Sequence, residues 1–432
     1  FYSVFFCIFI EIKLIYGYNI ISYLRRILLM KKVLIINCGS STIKFQLIEM
    51  ENKKVLAKGR CDMIGYDASN ILYKNLLNGE KLDEVPVSMP THKEGMEVLL
   101  KNLMDEKLGV ISSLDEIYAI GHRVVAGGEK YSNAVLVDDK VIADILELAE
   151  LAPLHNKGAV MGINALREVA PEIPNVVVFD TAFHQTIPDY NYLYAIDKKY
   201  YEDYHIRKYG AHGTSYKYIL GKLSEVLGKK KEDINAIVCH IGGGASVCAI
   251  KNGKSYDTSM GYTPLEGLVM ETRSGDIDPA AVLKIMKLNN LSISQMDEIL
   301  NKKSGRLGFC GIGDFRQMKD AALNGNKDAQ TMRKIQSNRT KKYIGAYMAE
   351  LNRVDAICFT GGIMENNADE IQMCIEDMDF WGIKLDKEKN LKCERSEGVI
   401  STDDSKVKLF LIPTNEELEI AMETLEIVDS AK

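Results

Sequence analysis

Two segments of the chain share one pattern of apolar and polar positions. They are VLIINCGSSTIKFQLIE, residues 33–49, and AIVCHIGGGASVCAIKNGK, residues 236–254. In each, an apolar strand leads into a bend of glycine and small polar residues, and a second strand of alternating character follows. A third apolar strand, within residues 356–362, also runs into glycines. We interpret the repeat as a duplicated domain whose halves each begin with a β-hairpin.

Helical spacing is found between these strands. Apolar residues three and four positions apart predict a helix that begins at Val141 and ends before Pro153, and another that begins at Pro279 after a capping Asp278. A third is predicted within residues 414–428, where acidic residues in the first turn precede apolar residues at helical spacing. Strands mixed with helices of this length indicate an α/β fold with helices packed on sheets.

Composition limits the class of protein. The chain of 432 residues is long enough for about two or three domains. Its net charge of −6 argues against a general nucleic-acid binder. Nine scattered cysteines without a CxxC pair indicate neither a disulfide framework nor a zinc site, and they fit a reducing cytosol.

Residues 1–29 differ from the rest of the chain in being apolar and rich in aromatic residues. Charged residues interrupt the apolar runs, so this segment is neither a spanning helix nor a signal peptide by its pattern. We expect it to be an extension outside the fold, with a peripheral membrane anchor as the alternative.

The first bend has the composition of a phosphate-binding loop. Glycine lets backbone N–H groups face an anion, hydroxyl groups add donors, and Lys44 adds a full charge. Asn37 offers an amide that can hold a metal-bound water. For one isolated segment, a tight hairpin that needs small residues is a better explanation than phosphate binding. Two such hairpins in one chain, together with FTGG at residues 359–362, favour phosphate binding. The spacing GxxxxGK[ST] is absent, so the site is not of the Walker type.

Four further residues place reactive groups on loops or strand ends. Arg123 and Arg273 lie beside glycines, and a guanidinium donates two parallel hydrogen bonds to a carboxylate or a phosphoryl group. Asp180 ends a buried strand, where a carboxylate binds metal or caps a turn. His212 lies on a loop among glycine, threonine and serine. The structural alternatives are an ion pair between Arg273 and Asp276 and a histidine that serves only the fold.

Ten stretches, in this order, closely resemble the acetate kinase family: INCGSSTIKFQLI, GHRVVAGGE, LAPLHN, VFDTAFHQTIP, YGxHGTS, DTSMGYTPLEGL, TRSGDIDP, KKYIGAY, FTGGI and EGVISTDDSKVKLFLIPTNEEL. The resemblance implies the fold of the acetate and sugar kinase, heat-shock protein and actin superfamily. This fold is α/β, with two duplicated ribonuclease-H-like domains of the actin-like ATPase type that close on a central cleft. We expect residues 30–182 and 416–432 to form the first domain and residues 183–415 the nucleotide-binding domain.

The resemblance also implies a reaction. ATP would transfer a phosphoryl group to acetate, reversibly and with Mg²⁺, to give ADP and acetyl phosphate; Mn²⁺ is the alternative metal. A cytoplasmic homodimer is expected, without a nucleic-acid or membrane partner.

Roles are carried over by matched position. Asn37 and Glu416 would assist Mg²⁺ binding, and Lys44 would contact a nucleotide phosphate. Arg123 would hold the acetate carboxylate, Asp180 would be the catalytic carboxylate, and His212 and Arg273 would stabilise the transferring phosphoryl group. The nucleotide would also contact three further segments. A second phosphate loop would consist of His240, Ile241, Gly242, Gly243 and Gly244, and the adenosine would contact Asp314, Phe315 and Arg316. The nucleotide pocket would be lined by Gly362, Ile363, Met364, Glu365 and Asn366.

Some positions inside the motifs depart from the family pattern. Histidine is replaced at Ala126 and Tyr216, phenylalanine at Ala211, asparagine at Gly243, and glycine at Glu271 and Met364. The loop before Asp314 is also one residue shorter. Because a carboxylate repels phosphate, we expect Glu271 to point to solvent or to Arg273, or else to weaken nucleotide binding.

Three other functions therefore stay open at the level of sequence. They are a kinase for propionate or butyrate, an enzyme that uses pyrophosphate in place of ATP, and a catalytically impaired homologue that binds nucleotide as a clamp.

Overall fold

The structure of the protein, a computed structural model, describes residues 31–432, without the side chains of residues 153 and 154. The predicted extension, residues 1–29, lies outside the described residues. The described chain forms two compact units. Unit 1 comprises the described residues up to Ala126, residues 134–178 and residues 417–432, and unit 2 comprises Gly127–Asn133 and Phe179–Glu416. Residues 127–133 group with unit 2, which the predicted boundaries did not anticipate.

The strands, in chain order, are β1 Lys32–Cys38, β2 Ile43–Glu49, β3 Lys54–Asp62, β4 Asn70–Asn75, β5 Lys81–Pro86, β6 Ile117–Val124, β7 Val135–Leu136, β8 Asn175–Phe179, β9 Ala236–Ile241, β10 Ala245–Lys251, β11 Lys254–Thr258, β12 Ala356–Thr360, β13 Gly398–Val399 and β14 Lys408–Leu411.

The α-helices are α1 His92–Leu103, α2 Asp139–Glu147, α3 Pro153–Val169, α4 Asp189–Tyr192, α5 Lys199–Tyr204, α6 Gly213–Leu227, α7 Pro279–Asn289, α8 Ile293–Lys302, α9 Gly305–Cys310, α10 Phe315–Leu323, α11 Lys327–Leu351, α12 Gly362–Glu365, α13 Ala368–Ile375, α14 Lys387–Cys393 and α15 Glu416–Ser430. Short 3₁₀ turns cover Leu114–Glu116, Leu148–Glu150, Ala182–Thr186, Lys231–Asp233 and Asp379–Trp381.

The two sheets repeat one arrangement of strands. The first sheet has the order β5-β4-β3-β2-β1-β6-β8-β7, and the second has the order β11-β10-β9-β12-β14-β13. In both sheets, three consecutive antiparallel strands, β3-β2-β1 or β11-β10-β9, are followed by a parallel partner, β6 or β12. The predicted α/β class and the predicted repeat of a β-hairpin are confirmed.

Burial on both faces explains the apolar run of β1. Residues 33–36 are at most 1% exposed, as expected for a strand covered on two sides. Leu34 and Ile36 belong to a cluster with side chains of α1 and α3. On the neighbouring strand β6, a Cβ atom at Gly121 would lie only 2.4 Å from the hydroxyl oxygen of Thr424. The absence of a side chain at Gly121 therefore lets α15 pack closely against the sheet.

The second sheet also separates two apolar clusters. Ile237 and Cys239 of β9 pack in one cluster with Ile344 of α11. The alternate residue Val238 packs in the other cluster with Ile219 of α6. Because successive side chains of a strand point to opposite faces, β9 contributes to both clusters.

Pro153 begins a helix where the sequence analysis expected one to end. α2 stops at Glu147, a 3₁₀ turn follows, and α3 starts at Pro153. Proline suits this first position because its missing N–H has no partner there in any case. The predicted start at Pro279 is confirmed, with the Asp278 side chain accepting a hydrogen bond from the N–H of Ala280.

Among the described residues, no helix is both long and apolar enough to cross a bilayer.

Candidate active site

Three of the predicted features meet at the bend between β9 and β10. A Cβ atom at Gly244 would lie 3.3 Å from Nε2 of His212 and 3.9 Å from Nη2 of Arg273. Gly242 donates its N–H to the carbonyl of Gly244 (2.9 Å). Within the described part of the chain, the N–H groups of Gly243 and Gly244 donate to no backbone carbonyl. The bend therefore offers backbone donors beside an imidazole and a guanidinium, which is a suitable arrangement for an anion.

His212 is held in position by two side chains of the second sheet. Its backbone is left-handed (φ 59°) where it precedes α6. Its ring stacks on His240 with 4.2 Å between centroids, and its Nδ1 lies 2.8 Å from the hydroxyl oxygen of Ser246. Ser246 also makes a hydrogen bond with the hydroxyl of Tyr216. Burial raises the pKa of Tyr216 well above its usual range. This phenol therefore keeps its proton and can donate a hydrogen bond to Ser246.

Asp180 lies next to the His212 segment. It is 1% exposed, and its Oδ1 accepts a hydrogen bond from the hydroxyl of Thr214 (3.3 Å). Its carbonyl accepts the N–H of Gly213 (2.9 Å). These contacts hold the buried carboxylate next to the loop that carries His212.

A second histidine supports the same loop, and the sequence analysis gave it no role. Nε2 of His184 donates to the carbonyl of Ala211 (2.9 Å), and its Nδ1 accepts from the hydroxyl of Ser255 (2.7 Å). Burial lowers the pKa of His184 to about 4. His184 is therefore a neutral, structural histidine that positions the residue before His212.

Arg273 is anchored by a backbone carbonyl, and no acidic side chain of residues 31–432 pairs with it. Its Nη1 donates to the carbonyl of Pro264 (2.8 Å), and burial lowers its pKa. Asp276 pairs with Arg339 (3.2 Å) instead and accepts the N–H of Gly267. The structural alternative, an ion pair between Arg273 and Asp276, is therefore wrong.

The carboxylate of Glu271 lies between two glycines. Its Oε2 is 3.4 Å from the position that a Cβ atom would take at Gly243, and its Oε1 is 3.3 Å from the corresponding position at Gly313. Its N–H donates to the carbonyl of Gly243 (3.2 Å). The side chain is exposed, as one of the sequence-based alternatives expected, but it stays beside the two segments predicted to bind nucleotide.

Several of the predicted nucleotide contacts have side chains in the core. This holds for Ile241, Phe315, Ile363 and Met364, each at most 6% exposed. Met364, where the family pattern has glycine, packs in the same cluster as the apolar face of β9. Any contact of these residues with a nucleotide therefore involves their backbone.

Two acidic residues of the predicted pocket bind backbone groups. Oε1 of Glu365 accepts the N–H groups of Gly361 (2.8 Å) and Thr414 (3.2 Å). Asp314 caps α10 by accepting the N–H groups of Arg316 and Gln317. Both carboxylates therefore fix the shape of the loops on which the other predicted residues stand.

Unit 1 carries three of the predicted residues, Asn37, Lys44 and Arg123, whereas Gly362 and Asn366 lie in unit 2. Asn37 of β1 is directly paired with Lys44 of β2, and both line a cavity of about 260 Å³ together with Arg60 and Glu417. Arg123 stands near the end of β6, half-buried. Glu416 is the first residue of α15 and the last residue of unit 2.

The oxygen ligands predicted for a metal suit Mg²⁺. An amide and a carboxylate oxygen are hard ligands, and Mg²⁺ in kinases is commonly held by one or two protein oxygens together with substrate phosphates. In the described residues, no group of three or more His, Cys, Asp and Glu is arranged to hold a metal ion by itself. The side chains of Asn37 and Glu416 are each of the ligand type that Mg²⁺ takes.

The acetokinase family matches residues 32–422 of the chain. The chain belongs to this family. The acetate kinase of Dictyoglomus thermophilum is 50% identical over 398 residues, which cover 92% of this chain and 99% of the relative. The acetate kinase of Thermotoga maritima is 51% identical over 401 residues, with the same coverage. The predicted family is confirmed.

Solved structures of the acetokinase type have the same fold. The crystal structure of Porphyromonas gingivalis acetate kinase is 43% identical and superposes with a TM-score of 0.89 over 92% of this chain and 100% of its own. A propionate kinase from Francisella tularensis is 40% identical with a TM-score of 0.85, over 92% of this chain and 100% of its own.

Proposed function

We propose that the chain catalyses the reversible transfer of a phosphoryl group from ATP to acetate, which gives ADP and acetyl phosphate. Membership of the acetokinase family confirms the predicted enzyme class, a phosphotransferase with a carboxyl group as acceptor. The observation that carries the proposal is the meeting of His212, Arg273 and the glycine bend of residues 242–244.

The residues of unit 2 would act on the phosphoryl group. In phosphoryl transfer, negative charge spreads over the equatorial oxygens, so fixed donors around that position lower the barrier. His212, Arg273 and the N–H groups of Gly243 and Gly244 supply such donors. Asp180 is buried and oriented by Thr214, which supports its role as the catalytic carboxylate.

Three residues of unit 1, Arg123, Lys44 and Asn37, would bind the acceptor, a nucleotide phosphate and the metal. Arg123 would hold the acetate carboxylate through paired hydrogen bonds, and Lys44 would contact a nucleotide phosphate. Asn37 would assist Mg²⁺ binding, as would Glu416 of unit 2, and the ion would supply positive charge that offsets the negative charge of the transferring group.

The hydroxamate assay for acetyl phosphate, with acetate, ATP and Mg²⁺, tests this function. We expect Arg273→Ala to lower kcat by about 10²–10³ or more, as for the loss of one preorganised donor. Arg167→Ala is the matched control, because Arg167 pairs on the surface of unit 1 with Asp139. A folded wild-type protein that forms no acetyl phosphate would contradict the proposal.

Acetate is favoured over longer acids by one observation. Ala211, where the family pattern has phenylalanine, is only 4% exposed and packs in the core of unit 2. The smaller side chain therefore does not leave an open space on the surface of this loop. Rates with acetate, propionate and butyrate as acceptors should fall in that order, and a faster rate with propionate would reverse the assignment.

The homodimer is supported by an apolar helix. α7 has no buried residue, and Leu283 and Leu288 are each 67% exposed. Nearby, Ile277 is 40% and Ile293 is 81% exposed. Exposed apolar surface of this kind marks interaction sites, so we propose that a second copy covers it. Light scattering on the purified protein checks the mass.

A cytoplasmic location is proposed because the eight cysteines of the described part are all unpaired.

A further inference from the structure

Glu271 occupies a defined place in the proposed nucleotide site. On one side of its carboxylate is Gly243 of the bend proposed to bind phosphate, and on the other is Gly313. Gly313 directly precedes the segment 314–316, which is proposed to contact adenosine. In a nucleotide the ribose lies between the phosphates and the base. In a nucleotide bound along these two segments, the carboxylate would lie at the level of the ribose.

The contacts of the main chain hold Glu271 at this level. Its N–H donates to the carbonyl of Gly243 (3.2 Å), and its carbonyl accepts the N–H of Leu307 (3.0 Å). On the opposite side, Nε of Arg306 donates to the carbonyl of Gly313 (3.0 Å). Arg306 is itself only 1% exposed. Both walls of the space around the carboxylate are thus fixed by hydrogen bonds.

The chemistry of a carboxylate suits the ribose of a nucleotide better than its phosphates. A carboxylate accepts hydrogen bonds and repels phosphate, so it is a poor partner for the phosphates of a nucleotide. Its two oxygens match two adjacent hydroxyl groups, and acidic residues bind ribose hydroxyls in other nucleotide sites. We propose that Glu271 is a specificity-determining residue that accepts hydrogen bonds from the 2′ and 3′ hydroxyls of the phosphoryl donor. The proposal rests on the proposed function, because it needs the nucleotide between these loops.

Gly243 and Glu271 act together in this arrangement. A Cβ atom at Gly243 would be in ordinary van der Waals contact with the carboxylate (3.4 Å), so a longer side chain would enter the space of the carboxylate. The glycine at position 243 therefore makes room for the carboxylate at position 271. Gly243 and Glu271, which both depart from the family pattern, would thus together favour ribonucleotides over phosphoryl donors without a ribose, such as pyrophosphate.

Deoxynucleotides test the proposal directly. The values of kcat/KM for ATP, 2′-deoxy-ATP and 3′-deoxy-ATP are measured with acetate for the wild type, Glu271→Ala and Glu271→Gln. The control is Glu298→Gln, an exposed acid on α8 that pairs with Lys303. We expect the wild type and the control to prefer ATP by about tenfold, the low end for a hydrogen bond to a charged group. Glu271→Ala should reduce the preference to within about twofold, and Glu271→Gln should give an intermediate value.

Calorimetric binding of ADP and 2′-deoxy-ADP gives a second readout that does not need turnover. Lost discrimination in Glu271→Ala supports the proposal even if the wild type forms no acetyl phosphate, a result that would count only against the proposed function. Gly243→Asn should also reduce discrimination in the wild type, and it should have no further effect in Glu271→Ala. Equal discrimination in the wild type and Glu271→Ala, in both assays, overturns the proposal.

Discussion

The two hairpins that begin the two sheets have equivalent pairing and different chemistry. In the first hairpin, the penultimate residue of β1, Asn37, is paired with Lys44 of β2. In the second, the penultimate residue of β9, His240, is paired with Ser246 of β10. The first pair offers an amide and a charge, whereas in the second pair Ser246 contacts His212. The same backbone pairing therefore places different side chains beside the two bends.

The surroundings of the two bends differ as well. The bend of residues 39–42 packs against two helices. His92 of α1 donates to the carbonyl of Gly39 (2.9 Å), and Gly158 of α3 lies close to the backbone of Gly39. The bend of residues 242–244 instead lies next to His212 and Arg273. The comparison teaches that glycine serves close packing beside the first bend and the close approach of His212 and Arg273 at the second.

Gly158→Ala tests the packing at the first bend and has the largest expected effect on stability. The new Cβ atom would lie 2.7 Å from the carbonyl carbon of Gly39 and 2.8 Å from its oxygen. Backbone atoms cannot move aside easily, so we expect a loss of about 1–3 kcal/mol in the free energy of unfolding. Calorimetric melting of the purified variant measures it.

The matched control is Gly345→Ala in α11, which has no atom within 4 Å of the new Cβ position. Alanine favours a helix over glycine by about 0.5–1 kcal/mol, so this variant should be more stable than the wild type. Equal melting temperatures for the two variants would mean that the first bend is not tightly packed.

Ser246→Ala tests the second hairpin through its activity. The change removes a buried partner of both His212 and Tyr216, and an unsatisfied buried group costs about 1–3 kcal/mol. We expect kcat to fall about tenfold, with the KM for acetate nearly unchanged, because the imidazole loses its orientation. Tyr216→Phe should have a smaller effect. Rescue by Ser246→Thr, which restores a hydroxyl, separates positioning from misfolding. An unchanged kcat in Ser246→Ala would remove the contact from the mechanism.

The parts of the fold predicted from sequence are those fixed by local patterns. The apolar runs and glycine bends predicted both hairpins, and an aspartate before a proline predicted the start of α7. The sequence does not predict the start of α3, because Pro153 signals the end of one helix as readily as the first turn of the next. Local sequence does not distinguish these two roles of proline.

The supporting contacts of the site could not be predicted. Ser246 lies 34 residues from His212 along the chain, and His184 lies 27 residues from Ala211. No spacing rule connects such pairs, because they meet only when strands and loops pack together. The direction of the Glu271 side chain likewise depends on two glycines in other segments. Sequence proposed the candidate reactive groups, whereas the orientation of their side chains required the fold.

Two acids, the buried Glu49 of unit 1 and the half-buried Glu350 of unit 2, have pKa values shifted in opposite directions. In unit 1, a hydrogen bond from Asn52 lowers the pKa of Glu49. In unit 2, burial and the nearby charge of Asp257 raise the pKa of Glu350 to about 7. Oε2 of Glu350 has no hydrogen-bond partner in the described part of the chain, and Asp257 is paired with Lys208 (2.6 Å). Glu350 is therefore a source of instability that depends on ionisation.

Glu350→Gln should remove this dependence. The usual pKa of the group is 4.5, so below that pH the folded and unfolded states both hold the proton and nothing is lost. As the pH rises towards 7, the folded state retains a proton that the unfolded state has released, and stability decreases; above 7 the loss is complete. We expect the variant to match the wild type near pH 4 and to melt a few degrees higher at pH 8.5. Melting curves from pH 4 to 8.5 measure this, with the exposed Glu376→Gln as control. Parallel curves for the wild type and Glu350→Gln would show that the carboxyl group ionises at its usual pH in the folded protein.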